Sequence, residues 1–554
     1  MLIAITSSMV RLKLMKKVKK PSLARASGAV SAITMLSRVL GLVRDRVIAT
    51  YFGAGMATDA FFVAFKIPNL LRRLVAEGSL ATAFVPVFTD EKQRSEEDAK
   101  KALSSILGFS LTLTISLSII GVIFSHELAS FFSPGFSQNP AKSQLAGELT
   151  RLMFPYIILV SLLALSSSLL NVLGYFAIPA SGPAILNIVM ISSVLVSSYL
   201  DNTPVKTLAI AVLIGGALGL IPQWLLLKRA GYSLKPSNPF KSAAVKKLFG
   251  LMLPSILSAS LYQIMIFINT VLASFLVEKS VSWLFFADRL VQFPLGVFSL
   301  AIATAVLPSF SKHASEKNFT SLTEQLNAAL RWMTFITVPA TFGLIALSEE
   351  LISAIYEGGK FTALDTQQTA FALVAFSLGL WAVSCQSIIV RAFLSLKDTL
   401  TPAIVSSFTI GINIVLAICL MGPIVNPDRN GFMANSIENI QKLLPIIDYD
   451  HAGLALAGSL SSFFSLLVLV FFLRKLSLKL APRELLKTLS QSLIASSLMY
   501  LLINFLNAQF DSGLISLVIN VPIGILAFSL ISLLIGSDEA KTCLEVAKKR
   551  LNIN

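Results

Sequence analysis

Charge is scarce in this chain, and acid scarcer than base. Lys, Arg, Asp and Glu make up 13% of the 554 residues, with 29 acidic against 45 basic side chains. A soluble domain carries about 25%, so the deficit excludes an ordinary water-soluble fold. No polar stretch is long enough to bury a core of its own, which argues against a separate soluble domain. The three cysteines, Cys385, Cys419 and Cys543, are scattered, and two lie in apolar runs. They form no disulfide or metal-ligand framework. His126, His313 and His451 stand far apart with no ligand-like neighbours. No G-x-x-x-x-G-K loop, H-E-x-x-H pair or nucleophile elbow is present, so neither ATP hydrolysis nor covalent chemistry can be argued and the chain is not read as an enzyme. Strand-like alternation is missing as well, which argues against a β-barrel.

What remains is apolar: 55% of residues are hydrophobic, with a mean hydropathy of +0.78. Runs of about 20 apolar residues, the length that crosses a bilayer, recur from end to end. The chain reads as an all-α polytopic membrane protein with about fourteen spanning helices. They are expected near 28–52, 58–78, 102–124, 149–172, 179–200, 205–227, 251–276, 281–307, 330–348, 367–394, 401–421, 453–473, 488–507 and 514–536. An even number puts both termini on one side. Loops on that side hold 30 Lys and Arg and the opposite loops hold 6, so the positive-inside rule places both ends in the cytosol. Residues 1–26 are then a cytosolic basic tail rather than a cleaved signal, because the Lys-rich run follows the mildly apolar start. The formal net charge of +16 is spread through short loops in this pattern and argues against nucleic acid as a partner.

The chain repeats itself. Residues 81–88 read ATAFVPVF and residues 303–310 read ATAVLPSF, while Pro179-Ala180 and Pro402-Ala403 match at nearly the same offset. The matched helices are six apart, so they run in the same direction. Two parallel six-helix lobes are expected, 27–230 and 245–476, with two extra helices at 484–536 and a cytosolic tail at 537–554. Pro68, Pro155, Pro254, Pro294 and Pro339 fall inside apolar runs and should kink them.

Nine basic residues fall inside the apolar spans: Arg38, Arg44, Arg46, Lys66, Arg72, Arg73, Arg151, Arg289 and Arg391. Charge at bilayer depth costs a few kcal/mol or more per residue and is rarely there without a job. Arg151 and Arg391 stand at helix ends and read as interfacial anchors. The other seven face only Asp45, Asp59, Glu77 and Asp288, a surplus of about three charges. A structural network should come close to neutral. A surplus suits a water-filled cavity that receives an anion, and the planar fork of Arg suits phosphate. On an ideal helix Asp59, Lys66, Arg73 and Glu77 lie within roughly 40° of one another, with Arg72 on another face. Pro68 interrupts that ladder. Blander readings compete: Arg72 and Arg73 could snorkel to the headgroups, Arg44, Asp45 and Arg46 could pair at the outer mouth, and Asp59 could cap its own helix.

The stretch SRVLGLVRDRVIATYFGAGMATDAFFVAFKIPNLLRRLVAEG, from Ser37 to Gly78, resembles the N-terminal signature of the MurJ (MviN) family of bacterial lipid II flippases. VSWLFFADRLVQFPLGVFSLAIATAVLPSFSK at 281–312 and YEGGKFTALDTQQT at 356–369 resemble it too. The resemblance implies the two-lobe fold of an exporter superfamily that includes multidrug and oligosaccharide transporters. It implies that undecaprenyl-diphosphate-linked disaccharide pentapeptide is carried to the outer leaflet of the bacterial cytoplasmic (inner) membrane for peptidoglycan synthesis. It points to Arg38, Arg44, Arg72 and Arg289 as the diphosphate site, with Asp45 and Asp59 as cavity or gate residues. Lys66, Asn69, Arg73, Glu77 and Asp288 would complete the cavity. No cofactor is expected; a coupling ion or the membrane potential would supply energy. Some members bind sodium through aspartates, where this chain offers only Asn269 and Asn413. Membrane lipids and other wall-synthesis proteins are the partners in view. A flippase for another polyprenyl-diphosphate saccharide and a non-transporting scaffold are the alternatives, while an exporter of cationic drugs would favour acidic residues. The last two helices, outside the repeat, are expected to flank a groove for the prenyl chain or simply to pack on the second lobe.

Overall fold

The structure is a computed structural model that describes residues 23–200, 204–424, 431–476, 478, 480–509 and 514–551. Its long helices are α1 (Leu23–Phe52), α2 (Met56–Leu71, Arg72–Leu80 and Ala81–Arg94 in one run) and α3 (Glu96–Ile123). There follow α4 (Pro140–Met153 and Tyr156–Val172), α5 (Ala177–Tyr199), α6 (Pro204–Arg229) and α7 (Ala243–Ser274). The second half holds α8 (Ser280–Ser315), α9 (Phe319–Ala346), α10 (Ala363–Ser395), α11 (Leu400–Leu420) and α12 (Asp450–Lys475). Last come α13 (Pro482–Asn507) and α14 (Leu514–Leu534). Among the described residues ten of these are long and apolar enough to span a bilayer alone, and α4 and α7 do so as bent pairs. The two that remain, α1 and α2, are the charge-bearing ones.

Local chemistry sets the ends and bends. Ser95 accepts from the Asp98 amide at 2.9 Å and caps α3; Thr362 and Asp365 form a reciprocal capping box on α10. α4 bends by 41° at Phe154-Pro155, and α7 by 51° just after Pro254. Pro68 and Pro294 instead precede π-helical stretches, Arg72–Leu80 and Leu295–Ser299. The first π stretch ends where the octapeptide at 81–88 begins and three residues separate the second from the octapeptide at 303–310, so the duplication seen in the sequence has a backbone counterpart. Pro339 leaves α9 unbroken. Short helices not foreseen from the sequence, Ser125–Phe132, Ser348–Tyr356 and Phe432–Leu443, follow α3, α9 and α11.

The odd-numbered helices end at one face of the bundle and the even-numbered ones at the other. The loops after even-numbered helices are the Lys- and Arg-rich ones, so the two faces are called the far face and the basic face. At the far face a single core joins both halves of the chain: Ile48, Phe62 and Phe132 pack with Phe286, Tyr356 and Phe361. Phe62 stacks on Phe285 at 3.7 Å between ring centres. Toward the basic face this core divides. Phe84, Phe88, Leu103 and Leu169 belong to one cluster, and Phe310, Leu326, Ile388 and Phe393 to another. α7 joins the two bodies. Its first half, through Leu248 and Met252, packs into the α2–α3 cluster. Its second half packs on α11. α13 lies along α9 and α14 along α13.

Lipid tails are as apolar as leucine, so packing of this bundle rests on close backbone approach. Gly453, one turn into α12, lies against the Leu420 carbonyl, and a methyl group there would collide with backbone. Gly458, one turn on, meets nothing closer than Asn413 Nδ2 at 4.0 Å. Gly453→Val should therefore cost about 1–3 kcal/mol and lower the melting temperature of the purified protein, whereas Gly458→Ala should leave it within a degree or two; a thermal melt in detergent distinguishes them.

Candidate functional site

Where the core divides, the space between the halves is a cavity of about 1740 Å³, larger than the 300–1,000 Å³ of an ordinary ligand pocket. Its lining runs from Val281, Leu284 and Ile355 near the far face to Pro179, Pro183, Thr399 and Pro402 at the basic-face starts of α5 and α11. The cavity thus leads to the basic face. Arg38, Arg44, Lys66, Asn69, Arg72, Arg73, Asp288, Arg289 and Asn269 all line it, so helices from both halves contribute. Glu77 has its side chain outside the described residues.

The π stretch explains why the helical wheel misjudged α2. It adds a residue per turn, which breaks the 100° phase at Arg72 and lets Arg72 and Arg73 both reach the cavity. Asn69 fixes the first of them: its Oδ1 accepts from Arg72 Nε at 3.0 Å, while its Nδ2 donates to the Phe65 carbonyl at 2.8 Å. Lys66 donates to Thr270 Oγ1 of α7 at 3.1 Å. Arg38 makes no hydrogen bond among the described residues; its guanidinium lies close against Gly296 in the π stretch of α8, where an added Cβ would meet it. Asp288 takes a hydrogen bond from Gln292 and has Arg289, Lys66 and Arg73 as its charged neighbours.

Asp45 does not line the cavity but lies buried behind it, holding two arginines. Arg44 donates to Oδ1 through Nε at 2.9 Å and Nη2 at 2.6 Å, and Arg289 donates to Oδ2 at 2.8 Å from across the cavity. Asn187 of α5 accepts from Arg44 Nη1 at 3.0 Å and returns its own amide to the Ser37 carbonyl.

Asp59 and Arg46 belong to the far face, outside the cavity. Asp59 does not cap its own helix; it accepts from the Lys279 and Ser282 amides at 3.0 and 2.9 Å and so caps α8. Lys142 completes its shell at 2.7 Å. Arg46 donates to the Ala354 and Ile355 carbonyls at 2.6 and 3.1 Å, at the C-terminal end of helix Ser348–Tyr356, the end that favours a cation. The Lys360 amide donates to the Thr50 carbonyl at 2.9 Å, and Ser274 Oγ accepts from the Gly135 amide at 3.0 Å. These bonds, with the fused core, seal the far face.

The sodium candidates do not converge into a recognisable cage. Asn269 lines the cavity with its Oδ1 unpartnered, whereas Asn413 is buried outside the lining with its Nδ2 unpartnered. Among the described residues no group of three or more His, Cys, Asp or Glu could hold a metal. Sequence reasoning missed three partners: Asn187 for Arg44, Lys142 for Asp59 and Thr270 for Lys66. All three are ordinary residues whose role exists only in the folded contact. It also set Arg391 aside as an anchor, yet Arg391 lines the cavity.

A two-lobed helical bundle with a charge-bearing cavity at the lobe interface, sealed at one face and leading to the other, is the architecture of an alternating-access transporter. The chain belongs to the lipid II flippase MurJ family, whose profile matches residues 48–523. It is 36% identical over 443 residues to the probable lipid II flippase MurJ of Buchnera aphidicola subsp. Acyrthosiphon pisum, covering 80% of this chain and 82% of that one. It is 36% identical over 403 residues to the lipid II flippase MurJ of Burkholderia cenocepacia, covering 71% and 77%. A solved lipid II flippase MurJ in an inward closed conformation superposes with a TM-score of 0.74 at 29% identity, over 91% of this chain and 97% of that one. An inward-facing multidrug transporter of the MATE family shares the fold alone, at 15% identity and a TM-score of 0.65 over 81% and 97%.

Removing the Asp59 carboxylate leaves Lys142 buried without its partner and the α8 start uncapped, at a cost of about 3–5 kcal/mol to the sealed state. In protein with Cys385, Cys419 and Cys543 replaced by Ser and Leu284→Cys as reporter, Asp59→Ala should raise labelling by an impermeant thiol reagent applied from the far face several-fold. Unchanged labelling would mean that the latch does not hold that face closed.

Proposed function

We infer that this protein moves lipid II, undecaprenyl-diphosphate-linked disaccharide pentapeptide, from the cytoplasmic to the outer leaflet of the bacterial inner membrane by alternating access. The observation that carries this is the charge of the cavity. Seven cationic side chains line it, Arg38, Arg44, Lys66, Arg72, Arg73, Arg289 and Arg391, against Asp288 in the lining and Asp45 behind it. Asp59 and Arg46, one of each sign, are spent on the far-face latch and cancel, while Arg391, counted as an anchor from the sequence, joins the lining and adds a positive charge. Uncompensated charge of this size inside a membrane needs an anionic guest, and a diphosphate supplies one that arginine forks can grip in pairs.

The basic face is the cytosolic one, so the cavity receives its load from the inner leaflet. Arg289 connects binding to gating. A diphosphate seated on Arg289 competes with Asp45 for the same guanidinium and so weakens the tie that holds the lobes together at the far face. The prenyl chain stays in the bilayer, along α13 and α14. A coupling ion or the membrane potential drives the return.

Arg38→Ala and Arg72→Ala should each abolish growth of a strain depleted of its own flippase, at normal protein abundance by immunoblot, and stop lipid II from appearing in the outer leaflet. Lys at either position should rescue in part, because charge survives and the bidentate fork does not. Growth with both Ala variants would make these charges structural. For orientation, a single cysteine at Ser237, in the connection after α6, should resist an impermeant thiol reagent in cells whose outer membrane is permeabilised; labelling there would invert the topology.

A further inference from the structure

Arg391 is a cavity arginine in the wrong place for the diphosphate cluster. It sits in the last turns of α10, and its one hydrogen bond among the described residues goes to the Ser387 carbonyl of its own helix, at 2.8 Å. No carboxylate lies within ion-pairing distance of it among those residues. A snorkelling anchor would turn to the lipid headgroups; this side chain lines the interior, with Gln386, Thr399 and Ser406.

Its depth follows from the packing of α8 on α10. Asp365 accepts from Lys279 Nζ at 3.0 Å and from Trp283 Nε1 at 3.1 Å, which places the starts of these parallel helices at one level. From that level Arg289 is about two to three turns in and Arg391 about seven. At 1.5 Å per residue the two guanidiniums are offset by on the order of 25 Å along the bundle. No diphosphate reaches across such a distance, so a group held at Arg289 leaves Arg391 facing another part of the same cargo.

We propose that Arg391 is a carboxylate subsite that grips the peptide end of the substrate, while the diphosphate sits near Arg38, Arg72 and Arg289. This rests on the lipid II reading above, and it adds where the peptide lies. A five-residue peptide extends about 17 Å, and the disaccharide between it and the diphosphate supplies the remaining reach. The peptide ends in a free carboxylate, the planar anion that a guanidinium fork matches with two parallel hydrogen bonds. The inferred arrangement orients the cargo lengthwise, with the diphosphate deep between the lobes and the peptide toward the basic mouth.

The test uses the full chain in lipid nanodiscs and two probes: lipid II, and the same undecaprenyl-diphosphate disaccharide without its peptide. Arg391→Gln should weaken binding of lipid II about ten-fold or more and leave binding of the peptide-free lipid unchanged. Arg391→Lys should recover part of the loss. Arg38→Ala should weaken both. Equal weakening of both lipids by Arg391→Gln would overturn the proposal and make Arg391 a diphosphate contact on the entry path. No change for either would make it an anchor. If the unaltered protein binds neither lipid, the lipid II reading itself fails. A thermal melt confirms that each variant is folded.

Discussion

One carboxylate holds the two halves of this transporter in register. Asp45 is fully buried and takes hydrogen bonds from Arg44 of its own helix and Arg289 of the opposite lobe. A buried pair of this kind is poor evidence for net stability, because its desolvation cost can match the attraction. Its significance is conditional. While Arg289 stays on Asp45, the far ends of α1 and α8 are tied. When it leaves, a buried carboxylate is left with half its compensation. The structure holds the tied state, and under the function proposed above its release by the cargo is the second state that a gate needs. Asp59 works by the same rule, since its oxygens are satisfied only while the start of α8 is against them.

The repeat gives the two lobes similar helices, yet the lobes meet tightly at one face only. The π stretches show how. Each widens a helix at the level where the cores part, in α2 after Pro68 and in α8 after Pro294. In α2 the widened turn presents Arg72 and Arg73 together. In α8 it includes Gly296, whose missing side chain leaves room for the Arg38 guanidinium. The same backbone device thus yields donors in one lobe and a seat for a donor in the other, and the duplication becomes chemically asymmetric without losing its architecture.

The helix count, the two lobes and the cavity charges could be read from the sequence because each rests on a property summed over many residues: run length, loop charge, a repeated octapeptide. The ends of elements were harder. α2 runs on to Arg94 rather than stopping near residue 78, since the π stretch carries the helix past a polar segment that looked like its end. The roles of individual charges were hardest. Asp59 looked like a cap for its own helix because it lies in the first turn, and it does cap a helix, but the helix is α8 and lies more than two hundred residues away. Arg391 looked like an anchor because it is near a helix end. It lines the cavity and bonds to the Ser387 carbonyl of its own helix, an orientation that no periodicity reveals.

The finished structure sorts its intramembrane charges by whether a partner could be found. Arg44, Arg46, Asp45, Asp59 and Lys142 have close partners, and those partners bind lobe to lobe or brace the residues that do. Arg38 and Arg391 have no acidic partner among the described residues, and both face the cavity. Burying an unpaired guanidinium in hydrocarbon costs several kcal/mol, so its tolerable place is beside water, and water reaches these positions only where the two basic-side cores have separated. The separation of the cores, the opening to the basic face and the surplus of positive charge are therefore one arrangement. Closing that face around an empty cavity would strip water from unpaired cations, whereas closing it around an anion would not, so occupancy by the cargo is what makes the loaded swing of the lobes, away from the basic face, energetically accessible.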